Sequence, residues 1–168
     1  MRLIGKIVPF FDSITRVSAF ISAIFLIFII LAVTIGVSMR YLFDSPQAWV
    51  IELCEYSLLY IVFLGSAWLL AKDGHISMDL VINRLRPITQ AIINTITYFV
   101  CMVVSLIIIW YGILVVIDSY QKGLFYYTVL ETPTYPILAI VPIGSFLLFI
   151  QFMRRTFSYA KMWREAIG

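Results

Sequence analysis

Two acidic side chains lie well inside an apolar stretch of this sequence, Glu52 and Glu55 in the run from Ala48 to Ala71. Three positions apart, they share one face of a helix, an arrangement suited to ion pairing, proton exchange or cation binding. A charge at the centre of a membrane helix costs about 2.5–3.5 kcal/mol, while each Leu, Ile, Val or Phe returns about 0.3–0.6. The run holds eleven such residues, so two central carboxylates would cancel most of its insertion energy. If a span of about 20 residues ends at Ala71, Glu52 falls at its outer boundary and Glu55 about one turn inside. Three roles stay open at this depth: an ion pair with Arg40 or with a partner protein, plain interfacial solvation, or a proton or cation site. No second intramembrane charge continues a relay from the pair.

The remaining chemistry is sparse. His75 is the single histidine, in the run Lys72-Asp73-Gly74-His75-Ile76-Ser77-Met78-Asp79. One histidine excludes a bis-histidine haem or a histidine-rich metal site within this chain. It also removes the usual base for a serine or cysteine nucleophile, and His75 reads as a loop residue that packs or caps. Cys54 and Cys101 both fall inside apolar runs, as small buried hydrophobes do. No glycine-rich phosphate loop is present. The expectation is a protein without cofactor, metal or catalytic constellation, and not an enzyme.

The elements that carry these residues follow from composition. Of 168 residues, 62% are hydrophobic and 12% charged, against about 45–50% and about 25% in soluble domains. A water-soluble fold of this size has too little interior to hide that surface. The bilayer is the alternative solvent, and the expected fold is an all-α integral membrane protein forming one membrane domain, residues 1–168. A spanning helix needs about 20 apolar residues, and four segments qualify: 17–39, 48–71, 88–117 and 135–153. The third would be about 45 Å long as one helix, so its polar first part, with Gln90 and Asn94, belongs to the headgroup region or to a steep tilt. Pro142 lies inside the fourth and predicts a kink there.

Orientation follows from Lys and Arg placement. Residues 1–16 hold three, the second loop three (Lys72, Arg84, Arg86) and the tail 154–168 four (Arg154, Arg155, Lys161, Arg164), whereas Arg40 and Lys122 stand alone in the other two loops. Ten of 12 basic residues thus share one side, which predicts both termini in the cytoplasm. This placement reads as topology rather than as a nucleic-acid face. The basic residues Arg2, Lys6 and Arg16 are spread out ahead of the first apolar run, unlike a cleavable signal peptide. Residues 1–16 and 77–86 read as short interfacial amphipathic helices. Small residues at four-residue spacing (Ala19 with Ala23, Ala32 with Gly36) and the Gly65-Ser66-Ala67 cluster mark positions of close helix approach. Aromatic residues such as Tyr41, Phe43, Trp49, Phe157 and Trp163 flank the spans as anchors.

The order of these features resembles the small membrane subunit of tripartite ATP-independent periplasmic (TRAP) transporters, the DctQ/SiaQ-like family. The resemblance rests on Arg40-Tyr41-x-Phe43, Trp49-x-x-Glu52-Leu53, Tyr60, Leu64-Gly65-x-Ala67, Gly74-His75-Ile76-x-x-Asp79-Leu80 and Pro142-x-Gly144, and it covers essentially the whole chain. The sequence departs at Ile51, where the family often has a second acidic residue beside the one matching Glu52. The resemblance implies a bacterial inner-membrane protein that binds a large multi-span TRAP subunit carrying the substrate and sodium sites. It also implies a periplasmic substrate-binding protein as a second partner, with sialic acid or a C4-dicarboxylate as the imported anion. In such a system Arg40, Trp49, Glu52, Glu55, Gly65, His75, Asp79, Pro142 and Gly144 would serve subunit contact and packing, with no substrate-binding residue in this chain. The competing readings are a self-sufficient four-helix cation or drug exporter coupled through Glu55 and a membrane cytochrome subunit. The single histidine argues against the latter.

Overall fold

A computed structural model of the chain describes residues 4–44, 47–72, 87–125, 130 and 132–167. Among these residues are four long helices: α1 (Ile4–Phe43), α2 (Ala48–Ala71), α3 (Pro87–Gln121) and α4 (Thr134–Ile167). Each is long and apolar enough to cross a membrane, and the described residues contain no strand beyond an isolated bridge between Phe125 and Pro133. The second helix has the limits expected from hydropathy. The others run further. Residues 4–16, expected as an interfacial stretch, are continuous with the first span, and residues 154–167 extend the fourth helix rather than forming a separate tail. Good helix formers such as Arg, Lys, Met and Glu carry a helix past the hydrocarbon boundary, because polarity alone does not end it. Pro87 opens α3, where its missing N–H costs nothing. The stretch 77–86 lies outside the described residues.

Helix α3 ends on a glycine. Gly123 has φ +57°, the left-handed region open to glycine without strain. The Gly123 N–H donates to the Tyr120 carbonyl (3.3 Å) and the Leu124 N–H to the Ser119 carbonyl (3.1 Å). These two bonds satisfy the last carbonyls of the helix in a Schellman motif. Thr134 N–H then donates to Leu124 O at 3.0 Å, which closes the loop and starts α4 antiparallel to α3.

Neighbouring helices follow the order α1, α2, α4, α3. Consecutive helices form two hairpins, α1 with α2 and α3 with α4, and α2 packing on α4 joins them. The interior is unlike that of a soluble protein. Its buried polar residues include Thr15, Ser18, Ser22, Ser57, Asn94, Ser105, Ser119, Ser145 and Gln151, and its few buried apolar ones are headed by Ala67 and Leu70. Large apolar side chains point outward instead, among them Phe20, Leu31, Val104 and Trp110. Lipid tails are as apolar as leucine, so helices associate through small residues that allow close packing. The interior hydroxyls largely serve their own helices: Ser57 Oγ donates to Leu53 O (2.6 Å) and Ser105 Oγ to Cys101 O (2.8 Å). Such back-bonding satisfies a buried hydroxyl without a partner helix.

Gly144 makes the tightest of these approaches, and Pro142, two positions away, grips a different helix. A Cβ on Gly112 of α3 would lie 3.3 Å from Pro142 Cδ. A Cβ on Gly144 would lie 2.6 Å from Phe63 Cβ and 2.7 Å from the Phe63 backbone oxygen on α2. At Gly65 the nearest atom to a Cβ would be Ser22 Oγ at 3.4 Å, an ordinary contact. Gly144→Ala is therefore expected to force the two hairpins apart and lower unfolding stability by about 1–3 kcal/mol. Gly65→Ala should stay within about 1 kcal/mol of the parent. Thermal unfolding of both variants in detergent checks the contrast, and equal melting temperatures would exclude the close α2–α4 approach.

Candidate functional site

At one end of the bundle, α2 presents a polar stripe at four-residue spacing, Glu52, Tyr56 and Tyr60; the first two bond to residues just ahead of α4 and the third to its first turn. The Leu130 N–H donates to Glu52 Oε2 at 3.2 Å. Thr132 Oγ1 donates to the Tyr56 hydroxyl at 3.1 Å, and the Tyr60 hydroxyl donates to Pro136 O at 3.1 Å. The register is what a helix dictates, since residues four apart stand above one another on one face. Tyr60 also rests on Phe25 of α1, ring centroids 5.0 Å apart. Each hydroxyl has an apolar ring beneath it and a backbone or hydroxyl partner at its tip. The stripe thus fixes Leu130, Thr132 and the first turn of α4 against the first hairpin, with Glu52 accepting from backbone there.

The other expected residues at this end are arranged differently. Glu55 is exposed, as is Arg40 at the end of α1. No ion pair joins Arg40 to Glu52 or Glu55 among the described residues. Trp49 donates its indole N–H to Gln47 Oε1 at 2.6 Å and remains partly exposed beside them. Ile51, where a second acidic residue was expected by resemblance, points outward. Arg40, Trp49 and Glu55 therefore compose an exposed rim, while Glu52 faces the protein. Asp44, just past α1, has φ 48°, a conformation that aspartate tolerates better than most residues.

The opposite end carries a second polar cluster. Arg154 Nη1 lies 2.6 Å from Asp12 Oδ1 and 3.5 Å from Gln151 Oε1. Gln151 Nε2 donates to Thr15 Oγ1 at 3.4 Å within the interior. Arg155 Nη2 donates to the carbonyls of Leu70 (3.0 Å) and Ala71 (3.5 Å), so it satisfies and neutralises the carbonyl end of α2. These contacts tie α4 to α1 and α2, and they place Asp12 and Arg154 at the same end of the bundle. Sequence reasoning counted Arg154 and Arg155 as topology signals and missed their partners, since residues 12 and 154 carry no local sign of each other. The tyrosine stripe had a signal, the four-residue period continuing from Glu52.

His75 and Asp79 lie outside the described residues. No group of three or more metal-capable side chains occurs among the described residues, and Cys54 and Cys101 are free thiols, both half-buried.

Four membrane-length helices with a polar lock at each end define a multi-pass membrane component. Residues 29–162 match the family described as tripartite ATP-independent periplasmic transporters, DctQ component, and the chain belongs to that family. A Haemophilus influenzae protein provisionally named TRAP transporter small permease protein is 30% identical over 77 residues, 46% of this chain. That match spans 48% of the relative's own length.

If the stripe holds the third loop, removing its donors and acceptors should loosen that end. Tyr60→Phe is expected to cost about 0.6–1.5 kcal/mol. Glu52→Gln should be milder than Glu52→Ala, because an amide oxygen still accepts from Leu130 N–H. Hydrogen exchange at Leu130 reads the effect directly. Unchanged protection in Glu52→Ala would exclude the bond.

Proposed function

We propose that this chain is the small scaffold subunit of a TRAP-type, sodium-coupled importer of an organic acid anion. It would brace the large transport subunit and help dock the periplasmic substrate-binding protein. The observation that carries this reading is family membership joined to the fate of the intramembrane acids: Glu52 is bonded to the third loop, and Glu55 faces outward. A coupling carboxylate is expected to face a cavity or bundle interior, and the outward Glu55 suits a partner's surface better. The imported anion is sialic acid or a C4-dicarboxylate.

In this arrangement the end bearing Arg16, Lys72, Arg154 and Arg155 faces the cytoplasm of a bacterial inner membrane, in keeping with the excess of basic residues there. Arg40, Trp49 and Glu55 then face the periplasmic side, where a docking protein arrives. Gly65, Pro142 and Gly144 serve packing within the scaffold, and His75 and Asp79 are proposed to order the cytoplasmic loop.

The test uses the chain co-expressed with a large TRAP membrane subunit. Arg40→Ala and Glu55→Gln should lower co-purification and uptake a few-fold, the scale of exposed charge contacts, with the choice of substrate unchanged. Liposomes containing this chain alone should accumulate no solute. Accumulation driven by this chain alone would favour the self-sufficient exporter and end the scaffold reading.

A further inference from the structure

We propose that the end of the bundle built around Arg154 is a binding site for an anionic diacyl phospholipid. Two features of the surface meet there. The first is a cleft of about 510 Å³ between α1, α2 and α4, lined by Arg16, Lys72, Arg154, Arg155 and one carboxylate, Asp12. The second is an open groove of about 750 Å³ that runs along α1 and α2. Its walls include Phe20, Leu26, Val62 and Leu69, all exposed apolar side chains. Arg16 and Trp68 line both, so the polar cleft opens directly into the apolar groove.

The charges in the cleft are unequally used. Asp12 answers Arg154, and Arg155 holds the carbonyl end of α2. Arg16 and Lys72 have no acidic partner among the described residues. Among the described lining residues, four cations against one carboxylate leave an excess that a phosphate diester can meet, through charge-assisted bonds to guanidinium and ammonium donors. Depth agrees with this. Arg16 immediately precedes the charge-free run from Val17, Lys72 follows Ala71, and Arg154 follows Met153. All three therefore stand where apolar helix gives way to polar residues, the level of lipid phosphates in a bilayer. Basic pockets between helices at this level recognise anionic headgroups.

The groove decides between a lipid and a free phosphate, because only a lipid carries acyl chains to cover Phe20, Leu26, Val62 and Leu69. The single carboxylate among the described lining residues decides between headgroups. A zwitterionic lipid would bring its own ammonium against Arg16 and Lys72, whereas phosphatidylglycerol brings none. The inference rests on the helices crossing a bilayer and not on the proposed transport role.

The test is native mass spectrometry of the full chain released from detergent. It compares phosphatidylglycerol with phosphatidylcholine of the same acyl chains, and uses glycerol 3-phosphate as a soluble competitor. Phosphatidylglycerol is expected to be retained at least about tenfold better than phosphatidylcholine. The R16Q/K72Q variant should lose about fivefold of that preference per cation removed, whereas Lys122→Gln, at the other end, should leave it unchanged. Ala23→Trp, which narrows the groove, should weaken retention of both lipids. If the double variant does not accumulate, Arg16→Gln alone and Ala23→Trp carry the test. Equal retention of the two lipids, a preference that survives Arg16→Gln undiminished, or displacement by glycerol 3-phosphate at lipid-like concentrations would overturn the proposal. So would loss of the lipid on assembly with the large subunit, which would make the groove a protein seat instead.

Discussion

The approach of α4 to α2 at Gly144 is the contact on which the rest of the structure depends. The two hairpins are each held by helices adjacent in sequence, but they meet mainly where α2 crosses α4. That crossing is so close that even a methyl group at position 144 would collide with the Phe63 backbone. Ser145, beside it, is fully buried, with a hydroxyl that has no hydrogen-bond partner among the described residues. A bulkier side chain would not fit, and the small one fills the seam. On the far side of α4, Pro142 seats α3 through Gly112. A three-residue stretch of one helix thereby sets the spacing of three.

Once the seam is fixed, the two ends acquire different characters. At one, a glutamate and two tyrosines fasten Leu130, Thr132 and the first turn of α4, mainly through neutral bonds to backbone and hydroxyl. At the other, arginines take the carbonyl end of α2 and the carboxylate of Asp12. The arginine contacts are partly exposed, so their Coulombic gain is modest and screened by salt. Their main effect is geometric: they hold the end of α2 to α1 and α4 where the helices leave the apolar zone. Between the ends, the outward faces carry the large apolar residues and the inward faces the small polar ones. That is the reverse of a water-soluble bundle, and it follows from a solvent that offers apolar contact but no hydrogen bonds.

The spans were legible because hydropathy is a local property, and α2 keeps the limits 48–71 read from sequence. The extent of α1 and α4 was not, since helix propensity continues where apolarity stops; Arg154, Arg155 and Lys161 all lie inside one helix. Small residues at 65 and 144 stood out, but their ranking did not. Whether a glycine is required depends on what faces it, and Phe63 faces Gly144 while only the Ser22 side chain nears Gly65. The same limit applies to charges. Glu52 and Arg40 are close in the order of the chain and both near one membrane boundary, yet Glu52 bonds to Leu130, 78 positions away. Pairing is a property of the fold, and nothing in the run around either residue specifies it.

The sequence of neighbours also bears on how such a chain is made. Because each hairpin consists of helices that leave the ribosome one after the other, the first pair can meet before the second pair is synthesised, and the order of translation coincides with the order of assembly. Little long-range search is left once both pairs are inserted: one rigid unit has only to slide in the plane of the membrane until a glycine finds a phenylalanine.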